Sequence, residues 1–239
     1  HGRAMVRGKQ WPYDSGLHVP LIVRWPNEIA APEGFVPGTV DDRLIASIDV
    51  SATTLAIAGV APPTKMQGQV FLGEDSPARA YVFGARDRGD ETIDRIRTVR
   101  DDRYRYIRNY YPERGLLQLN RYKEFTYPMI PLLRELHEAE QLTPTQAALL
   151  APSRPEEELY RLDIDPFEID NVVDDPDHAE SLKRLRLALD EWIINSDDQG
   201  RTPESLEIYE YWEREMSEIY DARINQMLKE RQKRKVTRD

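Results

Sequence analysis

Leu17-His18-Val19-Pro20-Leu21-Ile22-Val23-Arg24-Trp25, closed by Pro26-Asn27, is a short and nearly continuous apolar run. Such a run suits a strand buried on both faces, as in the sheet of an α/β domain, with His18 a satisfied core histidine inside it. Ser15-Gly16 before it and the Pro/Gly-rich residues 32–38 after it are loop signals. Further on, Leu44, Ile48, Ala52, Leu55 and Ile57 fall near helical spacing, and Gly59 stands where a helix would end. Residues 1–60 therefore read as part of an α/β sheet domain too short to stand alone.

The rest of the chain has a different rhythm. Residues 61–79, with Pro62-Pro63, Gly68, Gly73 and Ser76-Pro77, read as an irregular connector. Residues 80–84 suit a strand. Residues 93–108 alternate apolar and basic side chains about Asp101-Asp102, the period of two that a half-buried hairpin needs. Residues 131–141 and 143–150 read as short helices and 158–162 as a final strand. Asp175-Pro176 opens a helix with Leu182, Leu185, Leu189, Trp192 and Ile193 on one face. A last helix is expected from about Ser205 to Arg231, with Trp212, Met216, Ile219, Tyr220 and Met227 on its apolar side and a basic tail after it. Residues 80–200 thus suggest a smaller α+β domain with an antiparallel sheet and a packed helix, and 201–239 a helical extension.

Composition narrows the chemistry. The 239 residues include 43 acidic and 33 basic side chains, for a net charge of −10, and no cysteine. The negative balance disfavours nonspecific binding to nucleic acid or anionic membrane, so an anionic ligand needs a local basic pocket. No apolar run approaches the roughly 18–20 residues of a membrane span. The absence of cysteine excludes disulfides, thiolate metal sites and a cysteine nucleophile within these residues.

The most specific stretch is His1-Gly2, then Lys9, then Tyr13-Asp14-Ser15-Gly16-Leu17-His18-Val19-Pro20-Leu21-Ile22-Val23-Arg24-Trp25-Pro26. It resembles the type I sulfatases of the alkaline phosphatase-like superfamily, where an Asp-His-Gly or Asp-Asn-Gly strand end leads to a basic residue and then to a Gly-x-x-Val-Pro-Leu-Ile-Val-x-Trp-Pro strand. Residues 158–172, from Glu158-Leu159-Tyr160 through Asp165-Pro166-Phe167-Glu168 to Asn171-Val172, resemble that family's C-terminal signature. Phe83-Gly84-Ala85-Arg86-Asp87-Arg88 and Tyr104-Arg105-Tyr106-Ile107-Arg108 are most similar to bacterial members akin to heparan N-sulfatase. The resemblance covers about residues 1–200, the C-terminal half of such an enzyme. Residues 1–60 would then be the last part of its α/β catalytic domain.

What the resemblance implies is calcium-assisted hydrolysis of a sulfate ester or sulfamate on a sulfated oligosaccharide, with a hydrated formylglycine as nucleophile. His1 falls at the last position of the metal-site motif, and Lys9 where the family sets a cation on the sulfate. Formylglycine and most calcium ligands are expected upstream, in a missing N-terminal half, so this segment alone should be inactive. Export to a periplasm or the cell exterior is implied in the same way. Leu150-Ala151-Pro152-Ser153-Arg154 mimics the tail of the nucleophile motif, but Leu150 cannot become formylglycine. Asp41-Asp42 and Asp101-Asp102 read as solvated pairs at a helix start and a hairpin turn.

A second candidate region begins at Arg86. From Arg86 to Arg108 there are eight arginines and six carboxylates. Arginine's planar fork suits oxyanions, and Arg86, Arg88 and Glu91 are expected in a Gly-containing loop as substrate contacts. Arg95, Arg97, Arg103 and Arg105 read instead as a salt-bridged hairpin surface. Two other readings compete: a phosphodiesterase or phosphonate hydrolase of the same superfamily, and a non-catalytic carbohydrate-binding module.

Overall fold

The computed structural model describes residues 5–73 and 76–236. Its centre is a four-stranded antiparallel sheet in simple chain order: β1 (Val82–Gly89), β2 (Thr92–Arg100), β3 (Tyr104–Asn109) and β4 (Glu157–Arg161). The expected hairpin about Asp101-Asp102 is β2–β3. The first strand runs longer than its apolar start suggests. Pairing continues past an irregularity where Asp87 stands opposite two β2 residues, Asp94 and Arg95, and reaches Gly89, so Arg86 and Arg88 lie in a strand, not a loop.

Both faces of the sheet are covered. Val99, Tyr106 and Leu159 lie opposite one another across β2, β3 and β4 and pack under Leu182, Leu185, Ala188 and Leu189. Those four residues line α6 (Ala179–Asn195), entered through a 3-10 turn at Pro176–His178 that Asp175 caps by accepting the Asp177 N–H at 2.9 Å. The helical face read from the sequence is the one buried. On the opposite face Ile96, Ile107 and Tyr160 pack with Trp11, Tyr13, Leu116, Leu117 and Leu133. The N-terminal segment therefore contributes to the core of the antiparallel domain.

The elements between β3 and β4 are α3 (Arg121–Thr126), α4 (Met129–Glu138) and α5 (Pro144–Ala148). Asn120 caps α3 by accepting from the Lys123 N–H at 3.0 Å. The final helix, α7 (Leu206–Val236), lies against α3 and extends past it. Of the five residues expected on its apolar side, Met216 is buried, whereas Ile219 is nearly half exposed.

Residues 17–25 depart most from expectation. Asp14–Leu17 form a single helical turn, α1, and residues 18–25 pair with no strand. Ile22 is 91% exposed, and Val19, Leu21 and Val23 also face solvent. A strand buried on both faces takes its ladder bonds and its covering layers from neighbours, and the described residues supply none here. His18 is accordingly exposed beside Asp14, with Nδ1 at 3.1 Å from its carboxylate, and is not a core histidine. After this stretch α2 (Ser47–Ile57) follows, and Gly59 ends it at φ +72° as expected. Ala52 is buried as the spacing predicts, but Ile48 is half exposed.

Candidate functional site

Lys9 stands on a tight turn, residues 5–13, laid over one face of the sheet. Its side chain is exposed and makes no hydrogen bond or ion pair with a described residue. The backbone on either side is strained: Arg7 has φ 61° and Gln10 φ 84°, conformations that L side chains seldom adopt. Such conformations persist only where the surroundings over-determine them. Here Trp11 and Tyr13, at the end of the turn, are sunk in the core. Gly16 closes it from behind, because a Cβ at that position would sit 2.2 Å from the Trp11 carbonyl oxygen.

The second clamp comes from the C-terminal signature. Glu168 is almost fully buried, with its own backbone at φ 54°. Its carboxylate accepts the Asp14 N–H at 2.8 Å and pairs with Arg105 Nε at 2.8 Å. Burial raises its pKa against the opposing pull of Arg105. Arg7 reaches back over the Tyr13 ring, 4.1 Å from its centroid, and donates to the Glu168 and Phe167 carbonyls. Asp165 fixes the signature loop by accepting the N–H groups of Ile169 and Asp170. Asn171 accepts from Leu159 N at 2.8 Å, tying that loop to β4.

Beneath the turn lies a buried polar layer. Glu158 accepts hydrogen bonds from the Tyr13 hydroxyl at 2.9 Å, the Tyr160 hydroxyl at 2.6 Å and Asn109 Nδ2 at 2.6 Å. Burial, with the Glu158 charge beside it, pushes the Tyr13 phenol well above its usual range. Asp14 binds Arg100 and Arg105. Burial alone would raise its pKa, but the two guanidinium groups outweigh it and hold the carboxyl below the ordinary carboxylate range.

The Arg86 region sits beside this layer, with its charges paired inside the chain. Arg86 is buried against the Trp11 ring, 3.9 Å from Asp94, and donates to the Gln10 carbonyl at 3.3 Å. Burial lowers its pKa, with Asp94 opposing. Asp94 is also held by Arg154. Glu91 is buried and accepts the Arg121 N–H at 2.8 Å. Arg88, at the edge, pairs with Glu204 at 2.5 Å and lies over the Trp212 ring. Gly89 touches Gln10, so the end of β1 adjoins the Lys9 turn.

Arg97 and Arg105, expected at the surface, are instead buried. Arg97 bridges Asp87 and Asp198, while Arg105 pairs with Asp14 and Glu168. Asp101 is likewise buried: it caps the β2–β3 turn by accepting from Arg103 N and Tyr104 N, and pairs with Arg184. Arg103 remains exposed. His1 lies outside the described residues. Among the described residues no three His, Asp or Glu side chains come together as a metal-holding group, and the sequence contains no cysteine.

Sequence reasoning overlooked Lys123, which is buried with Nζ 3.4 Å from the centroid of the Trp11 ring. A lysine in a short helix carries no local signal of burial, because a contact with residue 11 is made only by the fold.

The family model for the C-terminal region of N-sulphoglucosamine sulphohydrolase matches residues 4–125. An ulvan-active sulfatase of Formosa agariphila is 40% identical over 213 residues, which is 89% of this chain and 35% of that protein. A second ulvan-active sulfatase of the same organism is 32% identical over 195 residues, again covering 35% of its length. The solved structure of a 2-O GAG sulfatase superposes with a TM-score of 0.47 at 20% identity, over 72% of this chain and 30% of that one. The chain thus spans about a third of the curated relatives it matches.

Proposed function

The chain belongs to the family of N-sulphoglucosamine sulphohydrolase C-terminal regions, and from that premise we propose that it is the C-terminal part of a sulfatase acting on sulfated carbohydrate. The observation that carries this reading is the exposed Lys9, held on a doubly strained turn by Trp11, Tyr13 and the Glu168 loop. An unpaired ammonium on a rigid support suits an anionic group that arrives with the substrate. In this role Lys9 binds a sulfuryl oxygen and stabilises the charge that develops as the S–O or S–N bond breaks. Arg88 at the neighbouring edge, held by Glu204 and the Asp90 carbonyl, is the cation best placed to meet the sugar, whereas Arg86 and Glu91 are engaged within the chain by Asp94 and Arg121. The two relatives named as ulvan-active make ulvan the first polysaccharide to try.

The exposed run at residues 19–23 supports a missing partner. Its apolar side chains would be covered by a sheet supplied from residues outside this chain. The nucleophile and a calcium site, with His1 beside it, belong to that complete enzyme, which by the same reading is periplasmic or secreted. The described residues hold neither a calcium ligand set nor a formylglycine precursor motif, so no step is derived through either group.

The test uses the complete enzyme with Lys9→Ala and measures sulfate released from ulvan oligosaccharides and from an aryl sulfate. Loss of one charge-stabilising donor should slow release by about 100-fold or more. A rate equal to wild type overturns the role of Lys9, and faster turnover of an aryl phosphate than of the aryl sulfate overturns the reaction class.

A further inference from the structure

Lys123 is a buried cation, pushed well below the usual lysine range, that the proposed chemistry leaves unused. It stands on α3 with 3% of its surface exposed, and its ammonium lies under the Trp11 indole. The charged groups facing it are Arg86 from β1, Asp90 and Glu91 from the β1–β2 turn, and Asp94 from β2. Trp11 Nε1 and Gln10 Oε1 are buried with no hydrogen-bond partner among the described residues. The indole is therefore placed by packing and by two cations, the Lys123 ammonium 3.4 Å and the Arg86 guanidinium 5.3 Å from its centroid, an arrangement that strengthens when water is excluded. Gln10 precedes it at φ 84°, so a shift of the ring is passed straight into a strained turn.

We propose that Lys123 is a positioning residue for Lys9, acting through Trp11. This rests on the reading of Lys9 given above. The ammonium holds the indole, the indole anchors the turn, and the turn aims Lys9. Burial, and then repulsion by Arg86, bring Lys123 down to about 7 in spite of the three carboxylates. The cation is thus fully present below neutral pH and lost as pH rises through it, and the anchor loosens in the same direction.

The experiment compares wild type, Lys123→Met and Lys123→Arg in the complete enzyme, each with and without Lys9→Ala, on an aryl sulfate between pH 5.5 and 9 (about two units either side of the Lys123 transition). Wild-type kcat should fall several-fold through neutral pH with KM little changed. Lys123→Arg, charged throughout, should keep kcat and lose that neutral step. Lys123→Met should lower kcat about tenfold at the acid end with KM within about twofold, and should cause no further loss once Lys9 is alanine. Hydrogen exchange of amides 5–13 should quicken in Lys123→Met. Wild-type kcat in Lys123→Met, an equal loss on the Lys9→Ala background, or a neutral step unchanged in Lys123→Arg each overturns the proposal. If Lys123→Met does not fold, the Lys123→Arg profile decides alone. A Lys9→Ala enzyme at wild-type rate fells the reading of Lys9 and this inference together, whereas the failures above fell this inference and leave Lys9 standing.

Discussion

At the scale of single residues, the signature between Asp165 and Asn171 gains a physical meaning. Three polar members fix the loop and the N-terminal segment: Asp165 on two N–H groups, Glu168 on Asp14 N and Arg105, and Asn171 on Leu159 N of β4. None has to touch substrate to matter, because together they hold the turn that carries Lys9. Asp14 is the charged hinge of this arrangement. Its carboxyl is depressed in the folded state, so its stabilising effect is complete above the unfolded carboxylate range and is lost as pH falls through the folded value. Asp14→Asn should therefore lower stability at neutral pH and flatten the acid limb of a pH–stability curve measured by urea unfolding. An acid limb as steep as wild type would show that Asp14 is not among the groups that set it. Lys9 and the signature were legible in the sequence by resemblance. The burial of Arg97 and Arg105 was not, since arginines in an alternating hairpin read as solvated until their partners from residues 14, 168 and 198 are seen.

Among the elements, the antiparallel sheet and α6 followed closely from pattern. Period-two alternation gave the β2–β3 hairpin, and the spacing of Leu182, Leu185 and Leu189 gave the buried face of α6. Leu185 is fully buried against the row formed by Val99, Tyr106 and Leu159. Leu185→Ala should cost about 2–5 kcal/mol in chemical denaturation, through lost burial and the cavity left behind. A cost below about 1 kcal/mol would mean that α6 is not the main cover of that face. The short helices α3 to α5 were recognised in part, with α3 missed because six residues give no usable periodicity. The extension of β1 to Gly89 was also missed, because Arg86-Asp87-Arg88-Gly89 has no apolar residue to show the alternation that marks a strand.

For the whole molecule, the contrast lies between a double-faced, well-covered sheet and an apolar run, residues 19–23, that pairs with no strand among the described residues and is exposed. Ile22 touches little here, so Ile22→Lys in the isolated 239-residue chain should reduce binding of a hydrophobic dye and self-association without moving the urea midpoint. In the complete enzyme the same change should be strongly destabilising. A drop in the isolated chain's midpoint would show that residues 19–23 are already packed within it. The sequence by itself determined the family, the β2–β3 hairpin and the buried face of α6, and it named Lys9, by resemblance, as a cation to test. These follow from local periodicity and from motifs written in consecutive residues. Only the tertiary structure decided that residues 11–14 pack beneath the β-sheet, that Arg86 and Glu91 are buried while Arg88 holds the edge, and that Lys123 lies under Trp11. Those facts depend on contacts between residues far apart in the chain, where charge and burial are settled by partners that no local pattern names.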